Sequence, residues 1–262
     1  MINFNLRGNK TLIMGILNVT PDSFSDGGKY FSVESAINHA KKLIADGADI
    51  LDIGAESTRP ASKTISAAEE ISRLEKILPA IKNLGVPISV DTYKPEVAEF
   101  SLNHGADIIN DVHGLEDSRM VAVAEKFNAP VIAMHSEKCS DGEIIADIKN
   151  FFRRTSAKFN GQIIFDPGIG FGKTQKENLE IMRRLDELKI LDGQKISLLI
   201  GVSRKSFIGW ATGFPLEERD EATGAACIWA ISKGVDIVRV HNVKMISRMC
   251  LMADKLKEDI FS

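Results

Sequence analysis

The chain has 262 residues, 44% hydrophobic and 26% charged, with a formal charge of −3 and a pI near 6.0. That is ordinary for a globular protein and leaves no basic surplus for nucleic acid or an anionic membrane. No run of about 18 apolar residues would span a bilayer, MINFNLRGNK lacks the apolar stretch of a secretory signal, and the three cysteines (Cys139, Cys227, Cys250) have no metal-ligand spacing and fit a reducing compartment. Neither nucleic acid nor a membrane is therefore expected as a partner, and the default location is cytoplasmic.

The first predicted strand runs from about Lys10 to Ile16, and a loop rich in Gly, Ser and Asp follows over Asn18–Tyr30. SVESAINHAKKLIADG reads as a helix, with Ser32 as N-cap and Gly47 as its stop. DILDI is strand 2, and a second polar loop spans Gly54 to about Ser66. SAAEEISRLEKILPAIKNLG is the next helix, with Ile71, Leu74, Leu78 and Ile81 at helical spacing. PISV is strand 3, and Pro95 opens helix 3. DIIN is strand 4, Asp117–Phe127 helix 4, PVIAM strand 5, and Glu143–Lys158 the helix after it. QIIFD is strand 6, and GIGFGK opens a helix over about Thr174–Leu188. SLLIG is strand 7, a helix covers about Leu216–Lys233, DIVRV is strand 8, and a final helix closes the chain. GADI, GADI and GVDI recur before strands 2, 4 and 8, where a glycine ends a helix and a buried strand begins.

Each apolar run breaks into polar groups at its C-terminal end: Asn18, Asp52, Asp91, Asn110, His135, Asp166, Lys205, Arg239 and His241. Barrels of parallel strands build their sites on that face. The fold class is therefore α/β, a (β/α)₈ TIM barrel formed by one domain over residues 1–262. A doubly wound sheet is the alternative, but it clusters site residues at one switch point, whereas here the polar ends are spread over all eight strands.

The motifs MGILNVTPDSFSDGG, DIGAESTRP, VDTYKPEVA, INDV, FDPGIGFGK, VSRKSFIG and RVHNV resemble, in order and along nearly the whole chain, the signatures of the dihydropteroate synthase family. The resemblance implies a (β/α)₈ barrel and a transferase of folate biosynthesis, the target of sulfonamides. That enzyme joins 6-hydroxymethyl-7,8-dihydropterin diphosphate to 4-aminobenzoate, giving 7,8-dihydropteroate and diphosphate. It also implies Mg²⁺ as cofactor, small-molecule substrates and a homodimer, to which ATGAACIWAISKG could contribute.

A flat pterin ring needs acceptors and donors deep in a dry pocket, where unpaired polar groups are costly. By resemblance, Asp91, Asn110, Asp166 and Lys205 form that pocket, and Met134 packs on the ring. Arg239 and His241 share one side of strand 8, with Val240 on the other; with Thr58 and Arg59 the family assigns them to the diphosphate, which a planar guanidinium suits. The family places the metal at Asn18, and Phe24, Pro60, Phe171 and Ser206 around the aminobenzoate. Asp26 and Arg59 could pair across a closed lid. Lys205, Asp91, Asp166, Arg239 and His241 then carry catalysis, by dissociative loss of diphosphate from the pterin methylene. Taken singly, each has a plainer reading: an aspartate after a strand as a turn residue, Arg239 as a strand-end ion pair. His39 and His104 read as solvated, and His113 as a helix cap.

Ala55 and Ala61 stand where the family more often has glycine, and SEKCSDGEI is shorter than the usual segment after strand 5. A pterin-dependent corrinoid methyltransferase is the enzyme rival, but it needs neither the SRKS nor the TPDSFSDGG loop. A non-catalytic pterin-binding partner subunit is the rival of another class, opposed by Asn18, Lys205, Arg239 and His241.

Overall fold

The computed structural model describes residues 10–19, 33–56, 64–140 and 142–257. In chain order its strands are β1 (Leu12–Asn18), β2 (Ile50–Gly54), β3 (Ile88–Asp91), β4 (Ile108–Asp111), β5 (Val131–Met134), β6 (Ile163–Asp166), β7 (Ile190–Leu191), β8 (Gln194–Lys195), β9 (Ser197–Ile200) and β10 (Ile237–Val240). Apart from the small antiparallel pair β7–β8, they run parallel and close a barrel in the order β1-β10-β9-β6-β5-β4-β3-β2. The helices are α1 (Val33–Ala45), α2 (Ala67–Leu74), α3 (Leu78–Ile81), α4 (Pro95–Asn103), α5 (Ser118–Phe127), α6 (Ile144–Lys158), α7 (Gln175–Arg183), α8 (Leu185–Leu188), α9 (Ser206–Thr212), α10 (Asp220–Ser232) and α11 (Val243–Lys257). The expected α/β barrel is the observed fold.

Strand side chains alternate between two cores. Those facing outward, such as Ile53, Val90, Ile109, Ala133, Phe165 and Val238, join the large apolar core. Those facing inward form a separate plug of Met14, Ile50, Ile108, Ile132, Ile164, Leu199 and Ile237. Two residues further along, four of these strands change chemistry at the inward position: Asp52, Asn110, Asp166 and Arg239 follow Ile50, Ile108, Ile164 and Ile237, while on β5 Met134 follows Ile132. The barrel thus has an apolar floor with a polar layer on it.

The recurring Gly-x-Asp-Ile segments have a common geometry. Gly47, Gly105 and Gly234 turn with φ of 106°, 111° and 92°, a conformation that glycine adopts without a Cβ clash. The aspartate then accepts a hydrogen bond from a backbone N–H of the adjacent strand: Asp49 from Ile13 at 2.9 Å, Asp107 from Ile88 at 2.8 Å and Asp236 from Leu198 at 2.7 Å. Each satisfies a donor at the entrance of a buried strand, where an orphan N–H would be costly.

Several boundaries differ from expectation. β1 begins and ends two residues later, which carries Asn18 into the strand. The helix predicted over Ser66–Gly85 breaks into α2 and α3, because Pro79 has no N–H to continue the ladder. The helix predicted over Thr174–Leu188 likewise breaks at Arg184. Asp192-Gly193, with φ of 50° and 81°, turns the unforeseen β7–β8 hairpin. The helix expected from Leu216 starts as a 3₁₀ turn, Leu216–Glu218, and becomes α-helical only at Asp220. The short helix α9 before it was also unforeseen. Ser32, the expected N-cap of α1, lies outside the described residues.

Asp107→Ala should lower stability by about 1–2 kcal/mol, the cost of an orphaned strand N–H, and Asp107→Asn, which keeps an acceptor, by less. Denaturant midpoints of the two variants check this; equal losses would contradict the stapling role.

Candidate active site

The polar layer at the C-terminal ends of the strands is knit by one arginine. Arg239, on β10, donates from Nε to Asp52 Oδ2 at 2.5 Å and from Nη2 to Asp91 Oδ2 at 2.7 Å. Asp52 also takes both bonds from Asn110 Nδ2, at 3.3 and 3.2 Å. The two carboxylates and the amide are buried, and Asp91 keeps Oδ1 without a partner among the described residues. Burial is the main reason that the Asp91 carboxyl lies above the usual carboxylate range, with Arg239 opposing. Burial also works against the Arg239 charge, but Asp52 and Asp91 outweigh it and hold its pKa above the ordinary arginine value.

Asp166, at the end of β6, is shaped by the loop that follows. Its Oδ1 accepts from Gly168 N at 2.7 Å. A Cβ on the neighbouring Gly201 would lie 3.9 Å from both Asp166 Oδ2 and Lys205 Nζ, so the carboxylate and the ammonium share that corner. Lys205 Nζ donates to Ile169 O and lies 4.7 Å from the centre of the Phe171 ring. Burial lowers the Lys205 pKa to about 8, with Asp166 resisting. Burial likewise raises Asp166, against Lys205 and the Gly168 N–H. Asp91, Asn110, Asp166 and Lys205 therefore meet at one end of the barrel, and Met134 projects into the same layer, buried.

The GIGFGK loop approaches backbone closely. A Cβ at Gly168, which has φ +71°, would sit 1.9 Å from His135 O, so only glycine fits. Lys173 Nζ bridges the loops after β5 and β6, donating to His135 O and Phe171 O at 2.9 Å each. Phe171 is half-buried beneath Lys205 rather than free at the tip. Ser206 Oγ is exposed and accepts from Gln175 Nε2 at 3.3 Å.

After β9, His241 Nδ1 meets Ser203 Oγ at 2.9 Å. Arg204 turns away: it is held by Asp220 at 2.6 and 2.8 Å, which leaves Lys205 as the cation of SRKS facing the layer. Asn18 ends β1 opposite Gly54. A Cβ on Gly54 would lie 3.6 Å from Asn18 Oδ1 and 3.8 Å from Asp91 Oδ2, so an amide oxygen and a carboxylate flank that spot. Among the described residues no three His, Cys, Asp or Glu cluster as metal ligands.

Histidines outside the layer differ from expectation in two cases. His39 is half-buried, and burial lowers its pKa. His113 packs its ring 4.4 Å from Tyr93, and Asp117 caps α5 in its place. His104 is exposed, as expected. His135 is fully buried on the outer side of β5, against Phe151. Phe24, Asp26, Thr58, Arg59, Pro60 and Ala61 lie outside the described residues.

Sequence reasoning gave no role to three groups. Asp52 was visible only as a strand-end carboxylate, though its inward phase two residues after Ile50 was legible. Lys173 has no sequence signal beyond its place in the GIGFGK loop. The third is a buried cluster at the base of the second loop. There Lys94 Nζ donates to Glu56 Oε2 and, at 2.7 Å, to Glu70 Oε2, and Glu56 Oε1 accepts from Ile65 N at 3.2 Å. Glu56 so ties residues on both sides of positions 57–63 to the start of α4. Burial opposes the Lys94 ammonium, yet its two carboxylates hold its pKa above the ordinary lysine value. Burial raises Glu70.

Lys94→Met would leave two buried carboxylates without a cation and should cost about 3 kcal/mol or more at neutral pH. The raised Glu70 pKa makes that loss shrink as pH falls toward the unfolded glutamate value. Melting temperatures across pH check it; a loss that grows on acidification would contradict it.

The chain matches the family described as pterin binding enzyme over residues 14–241. Dihydropteroate synthase of Bacillus subtilis is 47% identical over 256 residues, covering 94% of this chain and 89% of the relative. A crystal structure of dihydropteroate synthase from Clostridium difficile in the presence of pteroic acid superposes with a TM-score of 0.91 at 42% identity, covering 98% of this chain and 99% of that one. Dihydropteroate synthase of Thermus thermophilus in complex with 6HMPPP gives a TM-score of 0.82 at 39% identity, covering 94% of each chain. Its complex with 4-aminobenzoate gives 0.81 at 38%, covering 94% and 95%.

Proposed function

The chain belongs to the pterin-binding enzymes and, within them, to the dihydropteroate synthases, and on that premise we propose how its residues divide the work. The reaction condenses 6-hydroxymethyl-7,8-dihydropterin diphosphate with 4-aminobenzoate to 7,8-dihydropteroate and diphosphate, in folate biosynthesis. The observation that carries the division is the meeting of Asp91, Asn110, Asp166 and Lys205 above an apolar floor.

Asp166, Asp91 and Asn110 bind the ring edge, and Lys205 donates to the ring carbonyl and nitrogen. Met134 lies against the ring face. Arg239 and His241 take the diphosphate, as a guanidinium and an imidazole at the barrel rim suit an anion; Thr58 and Arg59 belong to the same group. Phe171 and Ser206, with Phe24 and Pro60, bound the aminobenzoate, and Asp26 and Arg59 pair across the lid.

The bond that breaks joins the pterin methylene carbon to the diphosphate oxygen, and its electrons leave with the diphosphate. Arg239 and His241 face the growing negative charge. The carbon left behind shares its positive charge with the ring, and Asp91 and Asp166 stabilise that charge at close range. The neutral arylamine then attacks the methylene and releases a proton, which needs no strong base.

Mg²⁺ fits the oxygen donors at the end of β1. Asn18 would hold it by Oδ1 near Asp91, with the remaining ligands coming from substrate and water. When bound, it supplies positive charge to the diphosphate oxygens. The reading also carries a homodimer and a cytoplasmic location. Trp229 on α10 is 47% exposed, which supports an outer-helix interface, and no helix among the described residues is long and apolar enough to cross a membrane.

The test is diphosphate release from the pterin diphosphate with and without aminobenzoate, in Mg²⁺. Release that requires aminobenzoate supports the reading; binding without release favours a partner subunit. In the same assay kcat/KM for the pterin substrate should fall as pH rises through about 8, where Lys205 loses its proton. Lys205→Gln should flatten that limb; a limb that survives the substitution contradicts the role of Lys205.

A further inference from the structure

Asp52 has no place among the ligand-binding residues above, yet it is the most enclosed group of the layer. It is fully buried, and both of its oxygens are engaged from inside the protein: Oδ1 and Oδ2 by Asn110 Nδ2, and Oδ2 by Arg239 Nε. An ionised carboxylate only accepts. The Asn110 amide must therefore turn its nitrogen toward Asp52, and its carbonyl oxygen is presented elsewhere. The same carboxylate grips Arg239 at Nε while Nη2 is held by Asp91, so the guanidinium plane is fixed from two sides.

We infer that Asp52 is a positioning residue for both halves of the pterin substrate: through Asn110 it orders the ring-binding amide, and through Arg239 it orients the cation offered to the diphosphate. Asp52 has two partners, and on that reading they serve different parts of one ligand. The inference rests on the reading that Asn110 binds pterin and Arg239 binds diphosphate.

The test is calorimetry on the full chain in Mg²⁺ buffer, with 6-hydroxymethylpterin and inorganic diphosphate titrated separately. Asp52→Asn removes the charge and keeps the shape. Both affinities should fall about tenfold or more, as loss of a charge-assisted bond allows. The effect should also be non-additive: Asp52→Asn combined with Asn110→Ala should bind the pterin no worse than Asn110→Ala alone. Unchanged affinities in a folded Asp52→Asn chain, or fully additive losses, overturn the inference. If Asp52→Asn does not fold, Asp52→Asn/Arg239→Met, which removes one charge of each sign, is compared with Arg239→Met. A further loss of about tenfold in pterin affinity is expected from the freed amide, and equal affinity overturns the inference. The unsubstituted chain is the control: if it binds neither probe, the pterin reading fails, and this inference falls with it.

Discussion

The layer formed by Asp52, Asp91, Asp166, Arg239 and Lys205 is the constraint around which the rest is arranged. Three carboxylates and two cations lie buried or half-buried on an apolar floor. Taking such groups out of water costs several kcal/mol each, and well-packed apolar residues of similar size often serve stability as well or better. Stability does not account for them. On the proposed division of work, a ligand that is flat, rich in donors along one edge and strongly anionic at its tail accounts for both signs of charge in one layer.

The scaffold supplies the precision. Parallel strands place inward residues at a fixed phase, so one step of two residues carries β2, β4, β5, β6 and β10 from the plug to the layer above it. Loops then close around the layer by backbone contacts that tolerate little change. Gly168 passes under His135 O where a Cβ would clash, Lys173 ties the neighbouring carbonyls, and Lys94 anchors the root of the second loop. At the opposite end the Gly-x-Asp-Ile corners tether strand entrances. One end of the barrel thus serves stability and the other serves chemistry, as is usual for this architecture.

Much of this was legible in the linear chain, because it depends on local periodicity. Apolar runs ending in Asp91, Asn110 and Asp166 gave the strands and the face that they open on, and Pro95 and Gly47 punctuated the helices where expected. Pro79 and Asp192-Gly193 carry local signals for a helix break and a hairpin that hydrophobic periodicity alone does not show. Other features had no local signal. Arg239 and Asp52 are 187 positions apart, so their pairing depends on barrel closure between the first and last strands. Arg204 and Lys205 are adjacent cations in the sequence, and only the fold brings Asp220, on α10, against Arg204. The assignment of Phe24, Asp26, Thr58, Arg59 and Pro60 rests on family resemblance, since these residues lie outside the described part of the structure.

The most direct measurement is a crystal structure of this chain with 6-hydroxymethyl-7,8-dihydropterin diphosphate. The account predicts one ring hydrogen-bonded to Asp91, Asn110, Asp166 and Lys205, its face on Met134, and its diphosphate on Arg239 and His241. A ring bound away from that layer, or a diphosphate that leaves Arg239 untouched, would contradict it.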